Sequence, residues 1–122
     1  MGMFDMNDSL FPNYSLFPNY ILDKNGKPTP EYDLYRWAMW FETAGAARRV
    51  AWDKVGSYTV STVFLAINHN FGDYEGAPIL WETMVFDENG EEAHCLRYRT
   101  REEAEQGHKT VVEELRNDNF QT

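Results

Sequence analysis

The sequence predicts an α+β domain: a four-stranded antiparallel sheet made of two hairpins and flanked by two helices, in the order α-β-β-β-β-α. Three observations lead there. Two glycine-containing turn pairs, Gly56-Ser57 and Asn89-Gly90, each lie between runs rich in β-branched and aromatic residues. Apolar residues at helical spacing precede the first run, and a second such stretch follows the last. At 122 residues, 43% apolar and 16% aromatic, the chain has material for one core but not for two.

Taken in order, the elements begin with a tandem repeat. Leu10-Phe11-Pro12-Asn13-Tyr14 recurs after Ser15 as Leu16-Phe17-Pro18-Asn19-Tyr20. Two copies are too few for a solenoid, and each proline holds the phenylalanine before it extended. Residues 1–18 therefore read as a flexible arm, 19–117 as a single domain and 118–122 as a tail. After a turn at Asp23-Lys24-Asn25-Gly26, Thr29 is the expected N-cap of the first helix, with Pro30 at its first position. Leu34, Trp37, Ala38 and Phe41 form its core stripe, and Gly45 stops it.

Strands are expected over Arg48–Val55, Tyr58–Ile67, Ile79–Glu88 and Glu91–Arg99. A two-residue turn at Asn89-Gly90 would place Glu82 opposite Arg97, Met84 opposite Cys95 and Trp81 opposite Tyr98. Ile79, Trp81, Thr83, Val85, His94, Leu96 and Tyr98 then share the face packed under the helices, and Glu82 and Arg97 take the other. In the last helix, Thr100 and Glu103 form a capping box, and Ala104, His108, Val111, Val112 and Leu115 make the inward stripe. That helix ends near Asn117.

Charge narrows the function classes. The formal net charge is −9, and its distribution is uneven: seven acidic and six basic residues up to Lys54, thirteen and five from Val55 onward. Such a field repels phosphates, so direct nucleic-acid binding is disfavoured, while a nucleic-acid mimic stays open. Interleaved pairs such as Arg101 with Glu105 fit a solvated helix surface better than a mimic. The longest mostly apolar stretch, Val60 to Ile67, is strand-sized and far short of a bilayer span. A lone Cys95 and the lack of a basic-then-apolar leader point to the cytoplasm.

The span from about residue 19 to 112 resembles a family of small proteins encoded by tailed bacteriophages and prophages. The resemblance rests on Asp33-Leu34 with Trp37-Ala38 and Trp40-Phe41-Glu42, on Val60 through Leu65, on His69-Asn70-Phe71-Gly72, on Leu80 through Phe86, and on Tyr98 through His108. The first Phe-Pro-Asn-Tyr copy departs from the family's pattern. What the resemblance implies is a setting, a viral accessory protein inside a bacterial cell, and no catalytic role comes with it.

Four groups are candidates for chemistry. His69 opens an eleven-residue link, Asn68 to Pro78, which also holds Asp73 and Glu75 and would suit a mixed His/carboxylate site as well as it suits a hydrated loop. Asn68-His69-Asn70 only superficially matches an HNH nuclease, which needs further ligands. Gly107-His108 breaks the rules of an amphipathic helix, so something must approach the backbone there, and a buried imidazole needs a partner. Glu82, inside a strand, is explained by pairing with Arg97 or by a polar ligand on the uncovered sheet face. Phosphate-loop, Cys-x-x-Cys, His-Glu-x-x-His and Gly-x-Ser-x-Gly motifs are absent. The sequence thus points to a non-enzymatic accessory protein whose partner is a bacterial host protein, with no cofactor, membrane or direct nucleic-acid partner expected and self-association left open. The alternative is a small-molecule or metal site built from His69, Glu82, Arg97 and His108.

Overall fold

A computed structural model of the chain describes residues 13–70 and 76–117. The chain divides into two compact units between Gly45 and Ala46. Asp73, most of the first repeat copy and the tail lie outside the described residues.

The first unit holds β1 (Tyr14–Leu22), β2 (Pro28–Asp33) and α1 (Leu34–Ala44). β1 and β2 form a two-stranded antiparallel sheet, with Asn19 opposite Glu31 and Ile21 opposite Thr29. Residues 14–18, assigned to the arm from sequence, belong to β1. Thr29 and Pro30 are strand residues and not a helix start: an edge strand tolerates proline because no ladder N–H is required of it there. Asp33 caps α1 instead, its carboxylate accepting from the N–H groups of Tyr35 at 2.9 Å and Arg36 at 3.2 Å. Gly45 ends the helix at φ +48°, as expected. The core stripe is weaker than predicted. Trp37, Ala38 and Phe41 are only half-buried, Leu34 is exposed, and α1 has no fully buried residue.

The second unit holds β3 (Arg49–Val55), β4 (Tyr58–Phe64), β5 (Trp81–Phe86), β6 (Glu92–Tyr98) and α2 (Arg101–Arg116), with β3-β4-β5-β6 in one antiparallel sheet. Within the first unit α1 packs on the hairpin, and within the second α2 packs on the four strands. Gly56 at φ +59° leads the β3–β4 turn, the conformation a glycine-first hairpin turn requires.

The β5–β6 register is the predicted one, Trp81 to Tyr98 and Glu82 to Arg97, but it arises differently. The turn has three residues: Gly90 N–H donates to Asp87 C=O at 3.0 Å, and Asp87 N–H to Glu91 C=O at 2.9 Å. Only Gly90 has positive φ. The longer turn shifts pairing by one, so Phe86 faces Glu92. A bulge before His94 then shifts it back, and the faces beyond come out as expected. β4 ends earlier than predicted, because buried Ala66 at φ +68° turns the chain out of the extended region.

Val60, Thr62 and Phe64 of β4 and Trp81, Thr83 and Val85 of β5 are buried on one face, against Ala104, His108, Val111, Val112 and Leu115 of α2. Leu96 and His94 share that face but lie on edge strand β6 and are exposed. The capping box on α2 is present: Glu103 N–H donates to Thr100 Oγ1 at 3.0 Å, and Thr100 N–H to Glu103 Oε1 at 3.1 Å.

Gly107 sits where the Tyr98 ring passes beneath α2. A β-carbon there would fall against the phenol at a separation no real packing allows. Gly107→Ala is therefore expected to destabilise the protein by about 1–3 kcal/mol despite alanine's better helix propensity, as measured by urea unfolding. A stabilised alanine variant would refute this packing.

Candidate functional site

Strand parity assembles a polar chain inside the apolar face. Asp53 lies opposite Val60, Thr62 opposite Thr83, and Trp81 opposite Tyr98, so Asp53, Thr62, Thr83 and Tyr98 all point toward α2. His108 descends from the middle of the helix at 3% exposure. Its Nδ1 is 2.7 Å from Thr62 Oγ1 and its Nε2 is 2.8 Å from Asp53 Oδ2. Thr62 Oγ1 lies 2.5 Å from Thr83 Oγ1, which accepts the Tyr98 phenol hydrogen at 3.0 Å.

The proton directions follow from the chemistry of the ends. A carboxylate only accepts, so Nε2 carries a hydrogen and donates to Asp53. Tyr98 donates to Thr83. With a neutral imidazole, Thr83 then donates to Thr62, and Thr62 to Nδ1. Each threonine hydroxyl gives one hydrogen and receives one, and no buried side-chain nitrogen or oxygen among the described residues lacks a partner. Burial pushes the Tyr98 phenol above the ordinary tyrosine range.

A hydroxyl, an imidazole and a carboxylate in this order match the layout of nucleophilic triads. Here the hydroxyl is unreachable. Thr62 is 0% exposed and hemmed by Thr83 and His108, so no acyl group can approach it. The chain's work is to bind α2 to all four strands. Its Asp53 end, half-exposed, opens into a depression of about 360 Å3 lined with His108, Lys109, Val112, Glu113 and Arg116.

No family model, curated protein or solved structure matches this chain. The reading of its site rests on geometry.

The remaining candidates separate. Glu82 Oε2 accepts from Arg97 Nε at 3.0 Å and from Cys95 Sγ at 3.5 Å, on the sheet face opposite His108. The bond to Glu82 raises the Arg97 guanidinium above its usual value, while burial, then the nearby Glu82 charge, pushes the Cys95 thiol up. His69 Nδ1 bonds locally to the Ile67 carbonyl at 2.9 Å, and Asp73 is outside the described residues. The four-residue site of His69, Glu82, Arg97 and His108 is thus not assembled, since alternation along β5 turns Glu82 and the His108 partner Thr83 to opposite faces. Among the described residues no group of three His, Cys, Asp or Glu side chains is placed to hold a metal ion, and no helix is long and apolar enough to cross a membrane.

Sequence reasoning placed His108 inward and asked for a partner beside it, a backbone carbonyl before a hydroxyl or carboxylate, and so missed Thr62 and Asp53. The signal was there. A hairpin turn at Gly56-Ser57 puts Asp53 opposite Val60, and a threonine between Val60 and Phe64 is inward by alternation.

Two outcomes test the chain. Thr62→Val leaves Nδ1 and Thr83 without their partner and should cost about 1–3 kcal/mol in urea unfolding. Adding Thr83→Val should cost less than the sum of the two single variants, because the residues share one network; simple additivity would sink the relay.

Because the folded-state pKa of Tyr98 is raised, its contribution is complete below the ordinary tyrosine value of about 10 and is lost as pH climbs through the folded value. Unfolding free energy should therefore fall on the alkaline side, and less so in Tyr98→Phe. Tyr20 and Cys95 are shifted the same way but remain in both proteins, so the difference curve isolates Tyr98.

Proposed function

We propose that this is a small acidic bacteriophage accessory protein that acts in the cytoplasm of its bacterial host by binding a host protein, so interfering with host defence or metabolism. The viral and bacterial setting rests on the resemblance described above. The observation that carries the binding role is the surface of the first unit. Leu16 is 70% exposed, Phe17 60% and Tyr35 62%, and Leu34, Met39 and Tyr32 are exposed as well. A hairpin and helix with no fully buried helical residue and this much open apolar surface gain most by covering it. Large aromatic and aliphatic side chains of this kind supply the anchors of protein interfaces.

The second unit contributes differently. The threonine hydroxyls of its polar chain are sealed in the core, which supports a scaffold role more than a catalytic one. The excess of acidic residues, concentrated from Val55 onward, favours a protein partner over a nucleic acid.

Capture from bacterial lysate with the wild-type chain should retain a stoichiometric protein over a range of salt. Leu16→Ser, Phe17→Ser and Tyr35→Ser combined should lose it, with the thermal unfolding of the second unit unchanged. Retention by the triple variant, or no stoichiometric partner for the wild type, would overturn the reading.

A further inference from the structure

The repeat is longer than its five-residue core. Leu10 to Ser15 and Leu16 to Ile21 differ only in the last residue, and the next position is leucine in both, Leu16 and Leu22. The second copy supplies the ladder on β2: Asn19 faces Glu31, Tyr20 faces Pro30, Ile21 faces Thr29 and Leu22 faces Pro28. Six residues earlier the chain reads Asn13, Tyr14, Ser15, Leu16. A slip of six is even, so every side chain would keep its face.

Three features of the hairpin leave the register weakly specified. Pro28 and Pro30 carry no N–H, so half of those four β2 positions offer only a carbonyl to the ladder. Between the Tyr14–Asp33 and Asn19–Glu31 pairs, residues 15–18 of β1 lie opposite Tyr32 alone, a surplus that pushes Leu16 and Phe17 outward. The indole N–H of Trp37 bonds to the Tyr20 carbonyl at 3.1 Å, a backbone group that any residue in that position supplies.

We propose that β1 has two registers on β2, the one observed and one slipped by six residues, in which Asn13–Leu16 take the places of Asn19–Leu22. The slip draws Leu16 from its exposed bulge into the ladder opposite Pro28 and hands the Trp37 bond to the Tyr14 carbonyl. The turn grows from Asp23–Lys27 to Phe17–Lys27, and closure entropy rises only slowly with length. Four contacts hold the observed register in the majority: Leu34 N–H to the Asn13 carbonyl at 2.7 Å, the Tyr14–Tyr32 stack with centroids 5.7 Å apart, the Asp23 side-chain bonds within the turn, and Ile21 in place of Ser15. The device concerns the hairpin alone and stands whatever the unit binds.

Engineered cysteine pairs read both registers in the full-length chain with Cys95→Ser. Ile21→Cys with Thr29→Cys reports the observed register, Ser15→Cys with Thr29→Cys the slipped one, and Phe17→Cys with Thr29→Cys matches neither. In dilute protein with oxidised glutathione, the first pair should close fastest, the second more slowly but well above the third, as read by mass spectrometry of unreduced peptides. Tyr20→Ala weakens the resident copy and should raise the yield of the second pair by roughly twofold to fivefold, the scale of one cross-strand aromatic pair. Leu16→Ala, exposed in the observed register and opposite Pro28 only in the slipped one, should lower it, which keeps the test open if Tyr20→Ala unfolds the hairpin. Closure of the second pair no faster than the control, or unmoved by either alanine, would overturn the proposal.

Discussion

The bond between His108 and Thr62 is where the second unit is tied together. From it the chain of contacts runs one way to Asp53 and the other through Thr83 to Tyr98, so that each of β3, β4, β5, β6 and α2 contributes one residue. An apolar helix face can slide on an apolar sheet at little cost, because dispersion and burial are not directional. Five polar groups that satisfy one another in a single arrangement cannot. Any shift of α2 along its axis, or any slip of a strand, leaves buried hydroxyls or the imidazole without a partner, and the low dielectric of the core makes that expensive.

Gly107 belongs to the same constraint. The Tyr98 phenol reaches Thr83 only by passing under the helix, and the helix admits it only where there is no β-carbon. The residue next to it in sequence, His108, is thereby held at the height its two bonds need. Threonines at 62 and 83 give up little apolar packing beside Val60, Phe64, Trp81 and Val85, yet decide which of many similar packings is adopted.

The two units use the same turn to different ends. Asp23-Lys24-Asn25-Gly26-Lys27 and Asp87-Glu88-Asn89-Gly90-Glu91 close with matching bonds, the aspartate carboxylate accepting two backbone N–H groups in each. In the second unit the turn leads into a ladder pinned by a bulge and by the buried chain. In the first it leads into strands with two prolines on one side and a repeated hexad on the other. Strong local chemistry at a turn does not by itself make a register unique. The surrounding contacts do, and the first unit has few of them.

Local pattern was enough for the four-strand sheet, the capping box on α2, the pairing of Glu82 with Arg97 and the inward His108, since each depends on spacing within a few residues. It failed for the start of α1, because Thr29-Pro30 is as good a helix opening as Asp33-Leu34 until β2 claims the first pair for its ladder. It also failed for the β5–β6 turn, where a three-residue loop and a bulge cancel and leave the far register unchanged. The partners of His108 lie 46 and 55 residues away in sequence, on strands whose relative placement exists only once the sheet has formed. Alternation along a strand determines which side chains point inward; which of those inward groups meet is decided by the height and rotation of a helix packed across them, and that is a property of the tertiary structure alone.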